Sequence, residues 1–140
     1  MSIWIIYALL SAVAAAGVAI FGKLGIKNID TTLATTVRSI IMALFLTVVA
    51  LSLNKFQQLH TIQGKAWLYI ILAGVAGALS WLFYFNALKA GPASGVAALD
   101  RLSVVFVLIL AVVFLGEKLS WYSAIGALLI TGGAILMTLK

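Results

Sequence analysis

The chain is a series of long apolar runs separated by short polar breaks. The first run spans Ile3 to Phe21. A second follows Asp30 and reaches Leu53, a third covers Ala66 to Leu88, a fourth Ala93 to Phe114 and a fifth Trp121 to Leu139. Each is close to the roughly 20 residues that a helix needs to cross a hydrocarbon core. The breaks carry helix start and stop signals: Asp30-Thr31 offers an N-cap, Gly91-Pro92 a turn, and Gly116-Glu117-Lys118-Leu119-Ser120 a polar loop. Trp67 and Trp121 fall at run edges, where amphipathic rings prefer the headgroup level. The stretch from Asn54 to Lys65 alone looks water-soluble, and it is too short for a domain. The pattern therefore predicts an all-α, polytopic membrane protein with five transmembrane helices in a single domain over residues 1–140. The first run has no Lys or Arg ahead of it and continues past its small residues, so it reads as a retained helix and not a signal peptide.

Composition agrees. The chain is 65% hydrophobic and 9% charged, with mean hydropathy +1.25. A soluble fold of this length leaves too much surface exposed to hide so many apolar side chains. The formal charge of +6 does not point to nucleic acid, because the lysines sit mainly at the breaks and form no basic stripe. With no cysteine, disulfides, thiolate metal sites and cysteine nucleophiles are excluded. His60 is the sole histidine and lies in a loop, so neither a metal cluster nor a histidine-based triad can be assembled. No glycine loop followed by lysine is present to cradle phosphates. Neither an enzyme nor a cofactor or metal is expected.

Five crossings place the termini on opposite faces. Lys55, Lys65 and Lys118 fall on the N-terminal face, here face A; Lys23, Lys27, Lys89 and Lys140 fall on the other, face B. Arg38 and Arg101 lie inside runs but nearer face B. The bias weakly favours face B in the cytoplasm, and it is small enough to permit insertion in both orientations.

Arg38, Asn86, Asp100 and Arg101 are the polar residues that matter most. The second and fourth helices run from face B, placing Arg38 roughly 12 Å and Asp100 roughly 10 Å along them. The third helix ends on face B, so Asn86 is shallow there, with Tyr84 and Trp81 deeper. The four polar residues thus share a depth. Asp100 and Arg101 are about 100° apart around a continuous helix and cannot point the same way. In one reading Arg38 and Asp100 form a structural ion pair while Arg101 snorkels to the interface. In the other, Asp100 is a proton or cation site and an arginine holds anionic groups of a substrate.

Trp81, Phe83, Tyr84 and Phe85 crowd the end of the third helix. Phe83 and Phe85 are expected to face lipid. Trp81 and Tyr84 carry polar handles that want partners and, with Asn86, are the candidates for a pathway wall. Small residues recur at helical spacing, including Gly74 and Gly77 in the third helix and Gly126, Gly132 and Gly133 in the last. They predict close helix packing within the chain or, on the last helix, a dimer face.

Several stretches resemble the EamA domain of the drug/metabolite transporter superfamily: Leu79 to Leu88, Gly91-Pro92-Ala93-Ser94, Leu99-Asp100-Arg101-Leu102-Ser103, Phe114 to Leu119, and Ile130-Thr131-Gly132-Gly133-Ala134. Gly25 to Asp30 and Thr36-Val37-Arg38 are similar to the short, single-repeat members. The resemblance implies one five-helix repeat of a plan usually built from two inverted repeats around a cavity. It further implies an antiparallel homodimer in the bilayer, each copy supplying half a pathway for a small-molecule substrate. The size and last helix also resemble small multidrug resistance proteins, but those use a carboxylate in the first helix, which is absent here. The expected function is a half-transporter in the plasma membrane, exporting amphipathic metabolites or drug-like compounds with proton coupling at Asp100. The alternatives are an accessory membrane subunit, or a lipid-handling protein whose Arg38 and Arg101 bind anionic headgroups.

Overall fold

The computed structural model describes residues 2–139; Lys140, counted above on face B, lies outside them. Among the described residues the structure is helical throughout, with no strand. The helices are α1 (Ile3–Gly25), α2 (Thr31–Ser52), a 3-10 helix (Lys55–Thr61), α3 (Lys65–Ala90), α4 (Ala93–Asp100), α5 (Ser103–Leu115) and α6 (Trp121–Leu136). The segments Ile3–Gly25, Thr31–Ser52, Lys65–Ala90 and Ala93–Leu115 are long and apolar enough to cross a bilayer; α6 is equally apolar but has 16 residues. The chain is an integral membrane protein.

Local chemistry sets the helix ends. The Leu33 amide donates to Asp30 Oδ1 at 2.9 Å, capping α2. The Tyr122 amide donates to Ser120 Oγ at 3.2 Å at the start of α6. α5 ends at Gly116, whose φ of +66° is left-handed and favours glycine, and the Glu117 amide closes back onto Ala111 O at 3.2 Å. The water-soluble-looking stretch Asn54 to Lys65, where His60 was expected in a loop, is mostly 3-10 helix, entered through a left-handed Asn54 at φ 53°.

One expectation is corrected. The fourth run is not one continuous helix: α4 stops at Asp100 and α5 begins at Ser103. Across the break the amides of Arg101, Leu102, Val104 and Val105 reach back three residues, to Ala98, Leu99, Arg101 and Leu102, at 2.9–3.1 Å. The backbone tightens there to 3-10 geometry, with Arg101 at φ −67°, ψ −13° and Leu102 at φ −62°, ψ −18°. Asp is a poor helix former that competes for backbone partners, and this break starts on one.

The chain divides into two compact units. In the unit Phe21–Lys89, the buried residues are Ile26, Thr31, Thr35, Phe85 and Leu88. Gly22 lets α1 and α3 meet: a Cβ there would lie 3.3 Å from Phe85 Cζ and 3.4 Å from Leu88 Cδ1. In the other unit, comprising the described residues of Met1–Ile20 and Ala90–Lys140, α4 and α5 both pack on α6, and Ala19, Gly95, Ala111 and Ala134 are buried. Most large apolar side chains of both units are exposed, among them Phe114, Trp121 and Tyr122. In water that would drive aggregation, whereas acyl chains solvate such surface as well as leucine does.

Candidate functional site

The polar and aromatic residues singled out in the second and third runs converge in the unit Phe21–Lys89. Arg38 stands two turns into α2 and places its guanidinium over the rings of α3: its Cζ is 3.7 Å from the Trp81 ring centroid and 5.5 Å from that of Phe85. Trp81, Tyr84 and Phe85 share one face of α3 because residues three and four apart are helical neighbours. Tyr84 meets Trp81 edge-on at 5.4 Å and 80°, and Phe85 meets Trp81 at 6.1 Å and 65°. A guanidinium on an indole face gains about 0.5–1 kcal/mol when exposed and about 2 when desolvated. Ring faces, however, accept few hydrogen bonds. Arg38 Nη1 is buried with no hydrogen-bond partner among the described residues.

Phe85 is buried and not lipid-facing, with 3% of its surface exposed. It belongs to the face of Trp81 and Leu88 and fills the space left by Gly22. Phe83, two residues away and so on another face, is 71% exposed as expected. A sequence cannot distinguish the two until it is known which stripe of α3 meets α1, and the small residue at position 22 was the available signal.

Asn86 ties helices together. Its Oδ1 accepts from Thr31 Oγ1 at 2.6 Å and its Nδ2 donates to Leu82 O at 2.9 Å. Thr31 O accepts in turn from Thr35 Oγ1 at 2.7 Å. Lys23 Nζ donates to Leu88 O, and Lys89 Nζ to Ile29 O at 2.8 Å. The end of α3, the end of α1 and the start of α2 are thus joined by polar contacts around an apolar centre.

Asp100 and Arg101 belong to the other unit, at the α4–α5 break, and both are exposed. The five glycines named for helix packing do not make close approaches inside the chain: a Cβ at Gly74, Gly77, Gly126, Gly132 or Gly133 would meet no described atom within 4 Å. The close approaches fall instead at Gly22 and at Gly95, where a Cβ would sit 3.4 Å from Pro92 Cγ and 3.8 Å from Thr138 Cγ2. A groove of about 320 Å³ between α5 and α6, lined by residues such as Val105, Ile109, Leu119 and Ala124, is wholly apolar and offers nothing to orient a polar solute.

Residues 2–139 match the model of the EamA-like transporter family. A protein of Sinorhizobium sp. described as an uncharacterized transporter in the cobO 3′ region is 41% identical over 134 residues, covering 96% of this chain and 95% of that protein. No solved structure matches. With a match over virtually its whole length, the chain belongs to the EamA-like transporter family.

Proposed function

We propose that this protein is half of a proton-coupled transporter, two copies assembling antiparallel in the plasma membrane to export small amphipathic metabolites or drug-like compounds. The observation that carries the reading is the interrupted fourth span, with Asp100 and Arg101 at its break. A carboxylate at membrane depth costs free energy, and such residues mark ion and substrate pathways. Transporters place their sites at discontinuous helices, where freed backbone groups can meet solutes. Each copy supplies one repeat, and the nearly balanced lysines permit both orientations. A Cβ at Gly126, Gly132 or Gly133 of α6 would meet no described atom within 4 Å, which leaves room there for a face toward the second copy.

The test is pH-gradient-driven efflux from proteoliposomes carrying Asp100→Asn. This substitution preserves size and removes the titrating group. The expected result is loss of gradient-driven efflux with facilitated exchange of the same compound retained, since the pathway remains open. Gradient-driven efflux at the wild-type rate would remove Asp100 from the mechanism.

A further inference from the structure

We infer that the transported molecule is an organic anion, and that Arg38 is the residue that recognises its carboxylate or phosphate. The inference rests on the transporter reading for the word "transported", but the binding claim stands on the Arg38 geometry alone.

Arg38 is permanently charged, half-buried, and held against rings. Packing over Trp81 occupies one face of the guanidinium and leaves its N–H donors, which point out along the edge of the group, to find acceptors elsewhere. Nη1 is already shielded from solvent, with no hydrogen-bond partner among the described residues. A desolvated, unpaired cation is costly, so an arriving anion gains more here than at a hydrated arginine. The planar fork matches two oxygens of one carboxylate or phosphate, and such charge-assisted pairs are about twice as strong as neutral ones.

The surroundings select the same sign. At the Arg38 end of Phe21–Lys89 the positive residues are Lys23, Lys27, Arg38 and Lys89, against the single carboxylate of Asp30; Lys55 and Lys65 lie at the other end of α2 and α3. That carboxylate is engaged at the α2 cap. Lys23 and Lys89 each donate to a backbone carbonyl at the same end as Arg38, and a neutral carbonyl does not cancel a positive charge. A weakly polar wall carrying one sign of charge concentrates the opposite ion. Trp81 and Tyr84, both half-buried, supply an apolar flank beside the guanidinium for the non-ionic part of the ligand.

The experiment is equilibrium binding to purified protein in phosphatidylcholine nanodiscs. The probes are 3-phenylpropanoate, octanoate and hexyl phosphate, with phenylpropylamine as the charge-reversed control. The expected result is that at least one anion binds, the amine binds at least about tenfold more weakly, and Arg38→Gln loses about tenfold or more in anion affinity while remaining folded, with a cooperative melting transition retained. Arg38→Lys, which keeps the charge but not the fork, should recover only part of that affinity. Failure of all three anions to bind, equal binding of acid and amine, or undiminished affinity in folded Arg38→Gln would each overturn the inference. The same anionic chemistry could come from a lipid headgroup. Titration in discs containing phosphatidylglycerol separates the sources: Arg38-dependent protection by that lipid, with no binding of the soluble anions, would make Arg38 a headgroup site and sink the cargo claim. Counterflow of an amphipathic cation by a protein that binds no anion would leave the transporter reading standing and this inference refuted. Anion binding without counterflow of any probe would do the reverse.

Discussion

A hydrogen atom is all that Gly22 presents to α3, and the position of Phe85 depends on it. The Phe85 ring end and Leu88 Cδ1 both lie close to where a Cβ would sit, and both residues are buried, which leaves little room to retreat. Gly22→Leu should therefore cost about 1–3 kcal/mol by overpacking, while Gly22→Ala, needing a shift of a few tenths of an ångström, should cost much less. Thermal unfolding in detergent checks this; an unshifted transition for the leucine variant would mean that α1 and α3 do not touch here. Arg38 sits on the neighbouring part of the same face, so overpacking at position 22 should also reach the Arg38–Trp81 stack. At this scale the sequence was half legible. Helix direction and rise brought Arg38, Trp81 and Asn86 to one end. They could not show that Arg38 would meet rings, or that both ends of the Asn86 amide would be engaged, because those depend on rotation about each helix axis.

Among the elements, hydropathy found the apolar helices and missed the interruption in the fourth. A run average does not register two charged residues flanked by leucine and valine, although Asp100-Arg101 was itself the local signal. α1 also runs four residues past its expected end, to Gly25, while α6 stops at Leu136, where the Thr138 amide turns back to Ile135 O at 2.9 Å. The α2–α3 junction yields a separate prediction. Thr31→Val keeps shape and removes the hydroxyl that donates to Asn86, leaving that oxygen unpaired in a half-dry setting. The expected cost is about 1–3 kcal/mol, with faster amide exchange confined to the start of α2 and the end of α3. Uniform exchange across the chain would show that the tie is not local.

For the whole molecule, the open question is how a single repeat completes a pathway. Single cysteines at Ser2 and Leu139, labelled from each side of intact cells, have a clean background because the chain contains no cysteine. Comparable labelling of each position from both sides is the result expected of an antiparallel pair. Labelling from one side only would exclude it. The family and the membrane class were legible from the sequence because both reside in long stretches, Leu79 to Lys118 above all. Pairing of copies was not, since it would depend on surfaces, such as the glycine face of α6, that no contact within one copy defines. Lys23 and Lys89 carry one further consequence. Their ammonium groups are held on backbone carbonyls of the folded chain, and they are also among the few charges that insertion machinery can read when choosing which way the protein faces. Orientation signal and folding contact are therefore the same atoms. Deleting these lysines to change the protein's orientation would also loosen the joint between its first three helices, whereas Lys27, Lys55, Lys65 and Lys118 can be exchanged for that purpose with less effect on the fold.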